Sequence, residues 1–535
     1  MNLLRKLFLI LVFLSGFSAL TDMSAQSRRV TSQTSSPKVA RTLAGRIQAI
    51  MDRPEFKHAL FGIQFFSLDA DKPIYSLNAD KLFVPGSTTK LLTEGTALGL
   101  LGADYRFKTR VYRTGPVTPD GTLNGDIVLV ASGDPNLSGR ILPNGTLAFE
   151  NTDHSYAPTD GARAVPGDPL LVIRQLAQQI TAKGIKRVRG NVLVDIGLFP
   201  EGMRDGWNIS PAVINDNIID VTIGPATDET APAVVRPSPQ TSYAKFVNMV
   251  TTFKPDSSPA IRMSSEKNQD GTQTVTIRGR FPAGMPARLY KYEVPEPSRF
   301  AEVVLAEAMG EKSIVAQPRK YDANHDFKSS ASSYVPDNIV AEHISPPLRE
   351  EIKVTLKVSQ NLHAVSMPYI LAGTLSPKDQ TKTGFDLERE FLQRAGLDTM
   401  GAQQSDGAGA NARFTPEFMV SFLRYMARRA DYPDFLNALP ILGRDGTLFD
   451  IQSTSPAAGH VHAKTGTWGT SDQLNRRTLV LGKALAGYMT TARGQRVAFA
   501  IFINNVSVPN EPDAVKRITG QAVGEIAAAA FETAR

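Results

Sequence analysis

The stretch Val84-Pro85-Gly86-Ser87-Thr88-Thr89-Lys90 decides how this chain is read. A Pro-Gly pair opens it, a Ser follows, and a Lys stands three residues beyond the Ser. The apolar residues that come next, Leu91, Leu92, Ala97, Leu98 and Leu101, have the spacing of a helix with one face in a core. Ser87 then falls in the first turn. Positions i and i+3 share a helix face, so the Ser87 hydroxyl and the Lys90 amine can meet. A serine hydroxyl is a weak nucleophile until a base takes its proton. A lysine serves as that base once burial or nearby positive charge lowers its pKa. The helix N-terminus adds N–H groups that favour negative charge close by. Alone, the pattern is weak, because Ser-x-x-Lys recurs, for example at Ser35/Lys38 and Ser264/Lys267.

Upstream, residues 61–68 read as a strand, 69–71 as a turn and 72–77 as a second strand, with a helix before them over 39–51. A hairpin thus leads into the Ser87 helix. Beyond about residue 108 the texture changes. Short strand-like runs at 126–131, 188–196 and 272–278 alternate with Gly, Pro and Asn, and one helix is predicted over 170–182. Residues 138–166 are poor in apolar side chains and rich in turn formers. Residues 109–294 therefore read as β-rich material inserted into a domain made of 37–108 and 295–535. Helices return over 299–309, 347–358, 362–371, 385–395 and 416–428. Strands at 461–467, 483–490 and 497–503 and a helix over 513–534 close the chain. One antiparallel sheet, collecting the first hairpin and the last strands and covered by helices, is the expected core. The class is α/β, in its α+β form.

A chain of 535 residues is too long for one ordinary domain. Its net charge of +7 is scattered rather than gathered into runs, which argues against nucleic acid as a partner. Arg5 and Lys6 precede an apolar run at 7–14, and small and polar residues follow. That run is short for a membrane span and reads as a secretory signal over 1–25, ahead of a Ser/Gln/Thr-rich leader at 26–36. An uncleaved anchor is the alternative. No Cys is present, so there is no disulfide framework and no thiolate metal site. An exported, Cys-free chain suits a periplasm, with peripheral association at the inner membrane or cell wall open to it.

Two further triplets follow Ser87 in order. Ser359-Gln360-Asn361 lies between two predicted helices, and Lys464-Thr465-Gly466-Thr467 lies on a predicted strand. With Ser-x-x-Lys they form the set of the penicillin-recognising enzymes. Ser76-Leu77-Asn78 and Lys382-Thr383-Gly384 also fit the patterns, but the first precedes the nucleophile and the second lies in a polar loop.

Other matches are Gly125 to Leu129, Gly133-Asp134-Pro135, Gly190 to Asp195, Ser345 to Leu348, Asp406-Gly407 with Gly409 and Asn411, and Leu439 to Gly443 with Asp445-Gly446-Thr447. On these stretches the chain resembles the D-alanyl-D-alanine carboxypeptidases/endopeptidases of the penicillin-binding protein 4 type, the peptidase S13 family. The resemblance covers the chain from about Pro37 onward. It implies a β-lactamase/DD-peptidase-like catalytic domain with two inserted domains, one nested in the other. It also implies roles. Ser87 attacks the peptide bond between two D-alanines of a peptidoglycan stem peptide, or a β-lactam, and is acylated. Lys90 takes its proton. Ser359, assisted by Lys464, relays a proton to the leaving amine. Asn361 holds Lys90 and the substrate amide. The N–H groups of Ser87 and Thr467 form the oxyanion hole, and Lys464, Thr465, Gly466 and Thr467 receive the terminal carboxylate. No metal or cofactor is implied.

Three departures stand out. Gln360 replaces a frequent Asp, Ala408 stands where a Ser is usual, and the polar stretch at 471–477 is longer than expected. A serine β-lactamase shares the triplets, but no Glu motif for activating water is evident and the large insertion argues against it. A non-catalytic muropeptide-binding protein would have lost the nucleophile or the Lys, and both are intact. His460 and His462 lack a carboxylate at metal-site spacing. Asp195 has two readings, an Asp that ends a strand at a turn and an Asp that faces substrate. Trp207 and Tyr243 read as local packing and Asp445-Gly446 as a turn.

Overall fold

The structure, a computed structural model, describes residues 42–255, 257–321, 325–376 and 381–534. The secretory stretch at 1–25 and the leader at 26–36 lie outside the described residues, as do the first residues of the helix expected from 39.

A wholly antiparallel sheet organises the catalytic part. Its order is Val461–Asp472, Arg477–Thr490, Arg496–Asn504, Leu60–Ser67, Lys72–Leu77, and Val506–Pro509 adds to the far end of Arg477–Thr490. Successive strand residues point to opposite faces, and here both faces are covered. In Arg496–Asn504, Val497, Phe499, Ile501 and Ile503 pack towards the helices Leu43–Met51 and Gln521–Thr533. Ala498, Ala500 and Phe502 face the layer that holds Thr89–Leu101, Leu348–Val358, Asn361–Leu375 and Pro416–Met426. Small alanines on that second face let the nucleophile's helix and its neighbours approach the sheet closely. Among the described residues no helix is long and apolar enough to cross a membrane.

The inserted part has its own continuous core. Ile339–Ile344, Lys108–Arg113, Ile127–Val130 and Val192–Asp195 form one sheet, and the helices Leu171–Ala182 and Pro297–Glu311 bury Leu176, Phe300 and Val304 in the same core. A second sheet joins Val234–Ser238, Ile218–Gly224 and Arg288–Glu293. Between two of its strands the chain makes a third sheet, Ala244–Phe253, Gln273–Pro282 and Ala260–Lys267. The boundary expected at 294/295 is corrected by this arrangement. Ile339–Ile344 is the edge partner of Lys108–Arg113 and the helix Pro297–Glu311 lies in the same core, so both elements pack with the insertion, and the catalytic part resumes at about Leu348. Apolar spacing predicts the helix near 299–309 but not which of two cores receives it. The long polar stretch at 471–477 also resolves. The two strands continue past the active site as a hairpin, paired as far as Asp472 and Arg477.

Candidate active site

Ser87 does not sit on regular α-helix. Gly86–Thr88 form a turn of 3₁₀ helix that runs into Thr89–Leu101. Gly86 has φ +51°, and a Cβ there would lie 2.6 Å from the Thr467 backbone nitrogen. Only glycine allows the nucleophile's turn to come this close to the strand that carries Thr467. The same holds on the strand side, where a Cβ on Gly466 would meet the Pro85 carbonyl at 1.9 Å. The nucleophile's turn and the Thr467 strand are thereby brought together, the approach that the expected oxyanion gap between the N–H groups of Ser87 and Thr467 requires.

Lys90 is fully buried and sits at the centre of the polar set. Its Nζ is 2.8 Å from Ser87 Oγ, 3.2 Å from Ser359 Oγ and 2.6 Å from Asn361 Oδ1. Burial lowers its pKa to about 7, against the opposing pull of Glu94 and Asp406. Glu94, one turn further along the helix, is itself pushed well above the usual carboxylate range, by burial first and then by Glu351, so it weighs less against a neutral lysine. A neutral amine has two N–H donors, which Ser359 and Asn361 take, and one lone pair, which faces Ser87. That is the geometry of a general base.

Ser359 and Asn361 are placed by a helix break. Leu348–Val358 ends at Ser359, which adopts the left-handed conformation (φ 62°), and Asn361 starts Asn361–Leu375. A non-glycine residue there is strained and needs outside support. The inserted part supplies it, since Tyr156 donates its hydroxyl proton to the Ser359 carbonyl at 2.6 Å. Gln360 caps the second helix by accepting from the Leu362 N–H and also donates to Asp216 at 3.2 Å.

Behind this motif lies a buried ionic cluster. Arg140 pairs with Asp153 at 2.7 Å and Asp216 at 2.6 Å, His154 with Asp216 at 2.7 Å and Asp220 at 2.9 Å, and His363 with Asp216 at 2.8 Å and Glu351 at 2.9 Å. Asp153, His154 and Asp216 have metal-ligand character, but the Arg140 guanidinium already stands among them as the cation. Burial lowers the two histidines, yet the surrounding carboxylates outweigh it and push each up to about 10.

Lys464, Thr465, Gly466 and Thr467 all lie on Val461–Asp472. Thr465 Oγ1 donates to Thr447 Oγ1 at 2.9 Å, and Thr467 is exposed in the cleft. Lys464 is fully buried and donates to the Thr465 carbonyl at 2.9 Å, so its expected assistance to Ser359 is not a direct bond here. Its pKa is lowered strongly by burial and by Lys90 and Lys483. The depression of Lys90 is therefore the work of burial.

Ser87, Ser359, Asn361, Thr465, Thr467 and Lys483 line a cleft of about 580 Å³. The insertion forms one wall through Asn151, Tyr156, Asp160 and Trp207. Trp207 thus belongs to the cleft as well as to local packing, whereas Tyr243 is buried against Phe300. Asp195 accepts from Tyr334 and Gly197 within the inserted sheet. His460 stacks on Phe531. Asp445 bonds the Lys357 amine, and the Gly446 N–H donates to Asn151 of the insertion, so that turn joins the two parts. Asp406 closes a tight loop by accepting the N–H groups of Ala408, Gly409, Ala410 and Asn411. Sequence reading missed Tyr156, Lys483 and the Arg140 cluster, which have no motif spacing, since their partners are distant in the chain.

The family model of the D-Ala-D-Ala carboxypeptidase 3 (S13) family matches residues 43–524. The chain belongs to that family. It is 25% identical over 489 residues to a D-alanyl-D-alanine carboxypeptidase of Actinomadura sp. (strain R39), covering 86% of this chain and 81% of the relative. It is 25% identical over 448 residues to the D-alanyl-D-alanine carboxypeptidase DacB of Haemophilus influenzae, covering 81% and 82%. The crystal structure of penicillin-binding protein 4 from Haemophilus influenzae shares the fold, with a TM-score of 0.67 at 20% identity over 91% of this chain and 99% of that one. This S13 chain therefore keeps the family's fold with its large insertion.

Proposed function

We propose that this S13 protein is a serine-type D-Ala-D-Ala carboxypeptidase acting on peptidoglycan stem peptides, and that the same site opens D-Ala cross-links. The observation that carries the reading is the buried Lys90 amine at 2.8 Å from Ser87 Oγ, with both of its N–H bonds engaged elsewhere. Neutral Lys90 takes the Ser87 proton as Oγ attacks the carbonyl carbon of the penultimate D-Ala. The negative charge on that carbonyl oxygen falls between the N–H groups of Ser87 and Thr467. The proton then passes from Lys90 through Ser359, 3.2 Å away, to the leaving amine as the C–N bond breaks. Water, losing a proton back to the same base, releases the acyl group.

A fluorescent penicillin tests this directly. The purified protein should form a covalent adduct that Ser87→Ala abolishes. A folded wild type that takes no label, or a labelled Ser87→Ala, would overturn the acyl-enzyme. Mass analysis of digested sacculi divides the two substrate classes, because free D-Ala without loss of cross-linked muropeptides would remove the endopeptidase part.

The basic and apolar N-terminus supports export to the periplasm. Fusing residues 1–40 to a reporter enzyme active only outside the cytoplasm should give activity; an inactive fusion would contradict export.

A further inference from the structure

Three lysines are buried at the active site, Lys90, Lys464 and Lys483, at 0%, 0% and 8% exposure, and of these Lys483 lines the cleft. Their hydrogen-bond partners are all neutral, namely Ser87, Ser359 and Asn361 for Lys90, the Thr465 carbonyl for Lys464 and the Thr467 hydroxyl for Lys483. Lys90 at least lies in the field of Glu94 and Asp406. Among the described residues no carboxylate offsets Lys464 or Lys483. Burying a cation without a counter-ion is costly. Lys90 and Lys464 are relieved of that cost by the ease with which they give up the proton, whereas Lys483, which lines the cleft, is placed for a ligand to bring the missing charge.

Lys464 and Lys483 differ in their access to that anion. Lys464 is enclosed, its amine is turned onto a main-chain carbonyl, and its pKa falls far below the usual lysine range. Lys483 is held closer to its charged form, since burial brings it only to about 8. It lies on Arg477–Thr490 directly across from Thr467, lines the cleft together with Ser87, and donates to Thr467 Oγ1 at 2.8 Å. With an oxygen lone pair occupied by Lys483, the Thr467 hydroxyl is left to donate its own proton into the cleft, where Thr467 is exposed. Lys483 and Thr467 together present a positive charge and a directed O–H next to the oxyanion gap.

We propose that Lys483 is a specificity-determining residue, the cation that with Thr467 receives the free carboxylate of the substrate's terminal D-amino acid. This rests on the DD-peptidase reading above. It moves the charge that recognises the carboxylate from the Lys-Thr-Gly lysine to the neighbouring strand.

The test compares two peptides, one ending in D-Ala-D-Ala with a free carboxylate and one ending in the carboxamide. The wild type should prefer the free acid. Lys483→Met should lose about 30- to 100-fold in kcat/KM on the acid, mostly through KM, as expected for a charge-assisted contact. It should change less than about 3-fold on the amide, so that the preference collapses. Lys483→Arg should retain most of the preference. Lys483→Gln repeats the measurement should the Met variant fold poorly, with circular dichroism and turnover of the carboxamide peptide as the checks on an intact site. An acid-over-amide preference that survives in both neutral variants, or equal losses on both peptides, would overturn the role of Lys483 and leave the peptidase reading standing. A folded wild type that takes no penicillin and releases no D-Ala would overturn both.

Discussion

At the residue scale the chemistry turns on one proton. Lys90 has its pKa lowered to about 7 by burial, so the fraction able to accept from Ser87 rises as pH passes through that value. The rate of penicillin acylation, followed by stopped flow, should increase with an inflection near pH 7. An inflection near 10 would mean that Lys90 is not the base. Lys90→Met should lower acylation by about 10²–10⁴-fold, the usual worth of a positioned base. Tyr156 is a different case. Its hydroxyl donates to the Ser359 carbonyl at 2.6 Å, and Ser359 is the strained residue of the motif. Tyr156→Phe leaves that carbonyl short of a donor at about 1–3 kcal/mol. Acylation should slow about 10-fold or more with the pH inflection unmoved. Ser87, Lys90, Ser359, Asn361 and the Lys464 strand were legible because each belongs to a short local pattern. Tyr156 was not, since it lies in a turn-rich segment whose composition says nothing of where it docks.

At the element scale, the site is a meeting of three chain breaks against one strand. The Gly86 turn, the Ser359 break and the Asp406 loop each put backbone where a regular element would not fit. The Asp406 loop shows how they depend on one another. Gly409 has φ +98°, and a Cβ there would lie 2.0 Å from the Gly86 carbonyl oxygen. Gly409→Ala should therefore displace the turn that carries Ser87. Penicillin acylation should fall by at least about 10-fold while the fold, followed by circular dichroism, persists; unchanged acylation would show that the contact is slack. The hydroxyl lost at Ala408 has a simple reading at this scale. Asp406 already accepts four backbone N–H groups, so the loop is closed by its carboxylate. Periodicity revealed the longer helices and strands of the catalytic part, because these elements bury one stripe or alternate faces, and passed over short ones such as Tyr432–Ala438 and Val506–Pro509. It undercalled the hairpin 461–490, whose outer residues are polar and exposed and carry no burial signal.

At the scale of the whole molecule, the insertion is part of the active site's support. Arg140, Asp153, His154, Asp216 and Asp220 come from it, and Glu351, Gln360 and His363 come from the helices around Ser359. Removing one member leaves buried charge unpaired. Arg140→Met should destabilise the protein by about 3–5 kcal/mol, seen as a lowered melting temperature together with loss of acylation. Stability should also depend on pH in a defined sense. His154 and His363 have folded pKa values of about 10, above the ordinary value near 6.5. Their contribution is complete below about pH 6.5, shrinks as pH rises and is gone above about 10. Asp216 is held well below the usual carboxylate range, with burial opposed and outweighed by Arg140 and the histidines, so its contribution is present above about pH 4 and lost in acid. The melting temperature should decline from pH 7 to 10, less steeply in His154→Gln. A flat profile in the wild type would contradict charged histidines in this cluster.

The sequence by itself determined the chemistry and the local geometry that serves it. Ser87 with Lys90, Ser359 with Asn361, and Lys464 to Thr467 are near neighbours in the chain, so a single turn, a helix break and a strand each present their members together. Only the tertiary structure decided which parts lean on which. It put Pro297–Glu311 and Ile339–Ile344 in the core of the insertion, Tyr156 on the Ser359 carbonyl, Arg140 between two carboxylates and Lys483 under Thr467. These contacts join residues far apart in sequence, and they form because buried polar groups must find partners wherever the packed chain brings one within reach.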